Sequence, residues 1–306
     1  MQERLQPLLT LIDDGISIYR KHFLRFALLA ALWIVPMAIA IGLLVGFIER
    51  IGDGWAVVVI LFMAACSMPL LIYLIGGLSR AAAAALDGKP VLIRTALAIR
   101  PRRAAGMGCF TLIYTLIMQI VSSIVSLICI CPIWFIGIAF TAILAQAGSS
   151  SAFSAIGFVL IGLFFGGVYL FGLLVGGASY SSLIYALQPW IQEERSFGTT
   201  LEQSLALVLY RLDFNLAAWF LCGAVLIAGG GSIVLTIGIL APLPLFFLLG
   251  DQSPIALAIA ASAWLIALVL LVPPLPIWML LLYRRHTRNR AAADLVARVD
   301  AWAARG

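Results

Sequence analysis

Long apolar runs broken by short, mostly basic segments set the plan of this chain. Six runs exceed the roughly 20 residues that cross a ~30 Å hydrocarbon core: Phe26–Phe47, Trp55–Leu78, Met107–Ile130, Val159–Leu183, Leu216–Leu240 and Ile255–Leu282. Lipid offers unpaired amides no partner, so these runs are expected to be helices. Two stretches are too long for one crossing. Ala104–Gln146 as a single helix would measure about 64 Å at 1.5 Å per residue. Pro132 is expected to break or kink it, leaving Ile133–Leu144 as an outward extension or a re-entrant piece. Ser151–Pro189 is similarly overlong. An eight-crossing arrangement needs spans of only about 15 residues, below the usual range, and ranks second.

Between the runs, three polar segments carry apolar residues at helical steps. The first places Leu5, Leu9, Ile12, Ile16, Tyr19 and Phe23 on one stripe. The second, Pro90–Ile99, opens with proline at a plausible first helical position. The third carries Leu201, Leu205, Val208 and Leu212 behind Thr199-x-x-Glu202, which reads as a capping box. Tyr19-Arg20 with Phe23 is echoed by Tyr210-Arg211 with Phe214. The expectation is an all-α integral membrane protein of about six transmembrane helices with three amphipathic helices in the headgroup plane. These combine as three copies of interfacial helix plus hairpin. One domain fills residues 1–306: an amphipathic helix over 1–25, a bundle over 26–283 and a basic C-terminal helix over 284–306.

Charge then orients the bundle. Of 19 Lys and Arg residues, all but Arg50 fall on one side of this arrangement. They group at 4–25, 80–103, 195–211 and 284–305. Basic residues resist translocation, so both ends are placed in the cytoplasm of a bacterial inner membrane. Composition agrees, with 64% hydrophobic and 10% charged residues, far from a soluble domain. The late start and length of the first run argue against a signal peptide. The net charge of +6 attracts anionic headgroups, making the lipid bilayer itself the first partner. Nucleic acid is excluded as a partner because the basic clusters are juxtamembrane and lack interleaved aromatics.

Chemistry is hard to find. No Asp, Glu, Lys, Arg or His sits in the middle of a span, which disfavours proton-coupled transport. His22 and His286 have no zinc spacing, and Cys66, Cys109, Cys129, Cys131 and Cys222 sit in apolar contexts that read as buried thiols. No phosphate loop, nucleophile elbow or dinucleotide fingerprint is present, so neither catalytic residue, cofactor nor metal is assigned. Serines at 122, 123, 126, 181 and 182 read as helix-packing contacts. Gly162 with Gly166, and Gly172 with Gly176, are small-xxx-small pairs that bring helices close, either within the chain or in a membrane-protein partner or second copy. Gly229, Gly230 and Gly231 allow a kink in the fifth span, and Pro273, Pro274 and Pro276 one in the sixth.

One loop carries a resemblance. Pro189, Glu193, Ser204 and Leu207, preceded by Asp14, Tyr19-Arg20, Phe23 and Pro36, are similar to the pattern of a bacterial membrane-protein group. This group includes the membrane domain fused to some glycerophosphoryl diester phosphodiesterases, and free-standing proteins of unassigned function. Two positions depart from it: Gln203 replaces a usual basic residue, and Tyr210 a usual glycine. The 306 residues hold no phosphodiesterase domain, so the resemblance implies a fold and not that activity. Physically, Glu193 is expected to face the helix macrodipole or pair with Arg211 or another cytoplasmic Arg, and Ser204 to bond the backbone or a side chain from the loop. Both would fix how the third amphipathic helix docks. The function expected is a non-catalytic scaffold or accessory subunit; the alternative is a lipid or small-molecule transporter or channel without proton coupling.

Overall fold

The computed structural model describes residues 2–51, 53–146, 151–193, 196–250 and 253–303, with side chains along most of that length. Every described regular element is helical. In chain order they are α1 (Gln2–Lys21), α2 (Phe23–Ile51), α3 (Asp53–Leu86), α4 (Ile93–Leu97), α5 (Pro101–Gln146), α6 (Ser151–Ala186), α7 (Gln188–Gln192), α8 (Phe197–Leu209) and α9 (Leu212–Ile233). A π-helical stretch (Val234–Leu240) leads to α10 (Leu243–Leu249), α11 (Pro254–Leu271) and α12 (Pro274–Ala303). Five described segments are long and apolar enough to cross a membrane: Phe23–Ala40, Arg102–Val125, Gly162–Gln192, Leu212–Leu249 and Ile255–Ala293. The expected second span falls in α3, whose described apolar part is the shorter Leu70–Leu86. The loop residues around Gly52, Ser150 and Gln252 lie outside the described residues.

Several expectations are corrected. α5 runs unbroken through Pro132 for 46 residues, about 69 Å, so Ile133–Leu144 is simply its C-terminal part. A proline removes one amide from the ladder, which a long membrane helix tolerates. Gly229, Gly230 and Gly231 stay within α9, and the irregularity comes one turn later in the π stretch. The prolines at 273–276 do divide the last run, ending α11 at Leu271 and starting α12 at Pro274. α12 then continues to Ala303, so the basic C-terminal segment is the same helix as the final apolar one. Pro90 lies before α4, and Leu92, extended at φ −105°, is its N-cap, leaving a helix of 5 residues instead of ten.

α8 is capped by Ser196, not Thr199. The Phe197 ring seats against Trp190 with centroids 5.0 Å apart, so the helix begins where that contact anchors it. Thr199 turns back, with its hydroxyl 3.0 Å from the Ser196 carbonyl. The buried face of α8 carries Thr200, Ser204 and Leu207, while Leu205 is exposed. α1 differs from expectation in the same way. Leu8, Leu11 and Ile12 are buried, and Leu9, Ile16 and Phe23 are exposed.

The core sits at one end of the bundle. Its buried residues come from α1, the start of α2 (Phe26, Leu29), the end of α3 (Ile72–Ala83), the start of α5 (Met107–Tyr114) and the end of α6 (Ala178–Ala186). α7, α8, the first turns of α9 and Leu275–Tyr283 of α12 complete it. This is the end that carries the basic clusters. Beyond it, α5 from Leu112 to Ile128 and α6 from Val159 to Leu173 present mainly exposed apolar side chains, a surface suited to lipid.

α1 is fastened across the chain to the last helices. Gly15 takes the Trp278 ring, where a Cβ would lie 2.3 Å from Cδ1, and the Trp278 indole donates to the Ile12 carbonyl at 3.2 Å. The Tyr19 hydroxyl donates to the Leu270 carbonyl at 3.1 Å, and burial pushes its phenol up to about 12. Arg284 bridges α12 to Asp87 at 2.7 Å and holds that carboxyl below its ordinary range. The pair is exposed, so its contribution to stability is small.

Candidate functional site

Nine polar or charged residues are buried among those described: Ser79, Thr111, Ser181, Ser182, Gln188, Thr200, Ser204, Asn215 and His286. They lie in or beside the core at the basic end, none of them within the exposed apolar parts of α5 and α6. Burying such groups costs free energy unless they are bonded, and most of them are. Gln188 donates to the Ser79 hydroxyl at 3.2 Å and to the Ile184 carbonyl at 3.1 Å. Ser181 and Ser182 bond carbonyls of their own helix, at Gly177 and Ser179, and both lie fully buried where α6 packs into the core.

Glu193 forms the centre. It is the C-cap of α7, whose Pro189 and Trp190 are buried. Its Oε1 accepts from the Gln203 amide at 2.7 Å on α8 and from the Tyr283 hydroxyl on α12. Gln203, the departure from the family-like pattern, is one of these two partners. The carboxylate therefore ties three elements through charge-assisted bonds. Ser204 is fully buried, and its hydroxyl has no partner among the described residues. Glu193→Gln should cost about 1–2 kcal/mol, as charge-assisted bonds become neutral ones. Ser204→Ala should be neutral or mildly stabilising, contrary to the sequence expectation. Thermal unfolding in detergent reads both; a large loss in Ser204→Ala would mean its hydroxyl is bonded in solution.

Beside this network lies a second one that sequence spacing did not reveal. The His286 Nδ1 is 2.8 Å from the Tyr185 hydroxyl. The rings of Tyr185, Tyr210 and Phe214 surround the imidazole with centroids 6.0, 5.6 and 5.6 Å away. Only Tyr283 and His286, one turn apart on α12, hinted that this face was polar and buried. Tyr210 precedes Arg211, the described non-glycine residue with positive φ (49°). That turn is held by Asn215, whose amide donates to the carbonyls of Leu207, Val208 and Tyr210 at 3.2, 3.2 and 2.8 Å.

The remaining expected positions go elsewhere. Tyr19 packs edge-on against Phe23 with centroids 5.4 Å apart, and Arg20 is exposed. Leu207 is buried in the core. A Cβ added at Gly162, Gly166, Gly172 or Gly176 would meet nothing within 4 Å, so these pairs pack against none of the described residues. The close approach is made one position along. Gly177 faces Gly223 of α9, where a Cβ would lie 3.1 Å from the Gly177 carbonyl carbon and the Ala178 nitrogen. Cys222 is buried beside it and Cys109 is exposed, so the latter is not the core thiol expected. The side chains of Cys66, Cys129 and Cys131 lie outside the described residues. No group of three metal-ligating side chains occurs among the described residues. Comparison of the chain with protein-family models, curated proteins and solved structures gave no match.

Proposed function

We propose that this is a non-catalytic, multi-pass protein of a bacterial inner membrane, acting as a scaffold or accessory subunit that docks a helix of another membrane protein. The observation that carries this reading is the open glycine face of α6. At about 100° per residue, Gly162, Gly166, Gly172 and Gly176 fall within an arc of about 120°, and all four are exposed and unmet. Glycine contributes little against lipid. Its use in a membrane helix is to let a second backbone approach, and the chain's own helices already use Gly177 and Gly223 that way. Support also comes from the element order, in which α1 precedes α2 and α3, and the short α4 precedes the long α5 and α6. The buried polar groups are spent on holding helices together. The basic end fits the cytoplasmic side.

A photoreactive residue replacing Gly166 or Gly172 in intact cells tests this. A discrete adduct with a different membrane protein, lost on Gly166→Leu without loss of thermal stability, is expected. An adduct at twice the monomer mass would make the partner a second copy; adducts with lipid alone would overturn the reading. The second reading is passage of a lipid or small molecule without proton coupling. The π-helical stretch at Val234–Leu240 favours it, since such irregularities recur at functional sites.

A further inference from the structure

Three adjoining cavities open at the basic end, between the end of α3, the α3–α5 connection, the start of α5 and α7. The first, about 530 Å³, is lined by Arg80, Asp87, Lys89 and Arg103 among others. A smaller one of about 230 Å³ shares Arg80 and Arg103 with it and adds Arg100 and Trp190. The third, about 610 Å³, is bounded by Arg100, Arg102, Arg103, Trp190, Ser196 and Thr200. Arg103 thus borders all three, and five basic side chains surround one branched cleft. Among the described residues the acidic group on its wall is Asp87, which receives a bond from Arg284 at 2.7 Å, and Arg80 donates to the Ala98 carbonyl at 2.6 Å.

Juxtamembrane arginines commonly report topology alone, and a basic segment on a convex surface would say no more. Here the charges converge on a concavity of ligand-binding size. Two further features favour an anion there. α5 begins at Pro101, so the positive end of a long helix dipole lies beside Arg100, Arg102 and Arg103, although the Arg103 and Ala104 amides already donate to the Arg100 carbonyl at 2.9 and 3.0 Å. Trp190, which lines two of the cavities, is 4% exposed, and its indole N–H has no acceptor among the described residues. Down the same helix, Leu112, Ile113 and Leu116 are exposed, offering an acyl chain a path away from the cleft.

We propose that this cleft binds a phosphate group, a phosphomonoester or phosphodiester, with Arg100, Arg102 and Arg103 as its principal ligands. Arginine's planar fork matches phosphate oxygens in pairs. The source is either an anionic lipid headgroup or a soluble phosphorylated molecule. This inference is independent of the helix-docking reading, which concerns the opposite half of α6.

The test uses the full chain in phosphatidylcholine nanodiscs, titrated with dihexanoyl phosphatidic acid, dihexanoyl phosphatidylglycerol and inorganic phosphate, and read by thermal stabilisation. Saturable binding of at least one probe is expected. Arg100→Gln and Arg102→Gln, both exposed and outside the core, should together weaken it by tenfold or more. Arg288→Gln with Arg290→Gln, exposed on α12 away from the cleft, should change it by less than twofold. Binding of the lipids alone identifies a headgroup site; displacement of them by inorganic phosphate identifies a soluble phosphate. Equal losses in the two double variants, or no saturable stabilisation by any probe, would overturn the proposal.

Discussion

Gly223→Ala is expected to destabilise the protein by about 1–3 kcal/mol, and Gly223→Leu by more, through overpacking at the α6–α9 crossing. The added Cβ would lie 3.1 Å from both the Gly177 carbonyl carbon and the Ala178 nitrogen. Both are backbone atoms of a helix, and no rotamer change can move them aside. Alanine is otherwise the better helix former by up to about 1 kcal/mol, so the sign of the effect is informative. At Gly229 and Gly231, where a Cβ meets nothing within 4 Å, the same substitution should be neutral or stabilising. Unfolding temperatures of the three variants in one detergent give the comparison. Equal behaviour at all three positions would show that the crossing is looser than the structure has it.

The second large effect is expected at Asn215. One side-chain amide serves the last carbonyls of α8 and fixes the turn through Arg211 into α9, and Asn215 is fully buried. Asn215→Ala leaves several buried acceptors without a donor and should cost about 2–4 kcal/mol, each unsatisfied group contributing roughly 1–3. Asn215→Asp is the sharper variant because it keeps the shape. An ionised carboxylate facing three carbonyl oxygens can donate to none of them, and burial adds its own cost. At neutral pH it should therefore be worse than alanine, and should regain part of the loss as the pH falls and the carboxyl protonates. An aspartate variant as stable as wild type at pH 7 would show that the amide donates to none of these carbonyls.

The runs of apolar residues made the helices legible, because a span must be long and apolar whatever it packs against. Which face packs was much less legible. In a soluble helix the apolar stripe is the buried one, but here lipid and core ask for the same side chains. Of the α8 stripe, Leu201 and Val208 pack against the core but Leu205 is exposed, while the polar Thr200 and Ser204 are turned fully inward. Glycine spacing misled for the same reason. Pairs four apart on α6 mark a face on which a helix could settle, but the contact inside the chain needs Gly177 and Gly223, which belong to different helices and share no local pattern. Glu193 stood out in the sequence, but its partners did not, since Tyr283 is 90 residues away. His286 was set aside for lack of a neighbouring ligand, when its neighbours were aromatic rings brought by α6, the α8–α9 turn and α9.

The fastening of α1 onto α12 also has a consequence for the order of events at the ribosome. The Trp278 indole reaches back to Ile12 across 266 positions, an interval that takes roughly 13 to 50 s to synthesise at 5–20 residues per second. Throughout that time the first helix exists without the ring that fills the hollow at Gly15. Its two apolar faces, Leu8 and Leu11 on one side and Leu9 and Ile16 on the other, must meanwhile rest on the bilayer surface or on an insertion factor. Closure of the core thus waits on the synthesis of α12, and a chain stopped short of Pro274 has every earlier helix and no keystone.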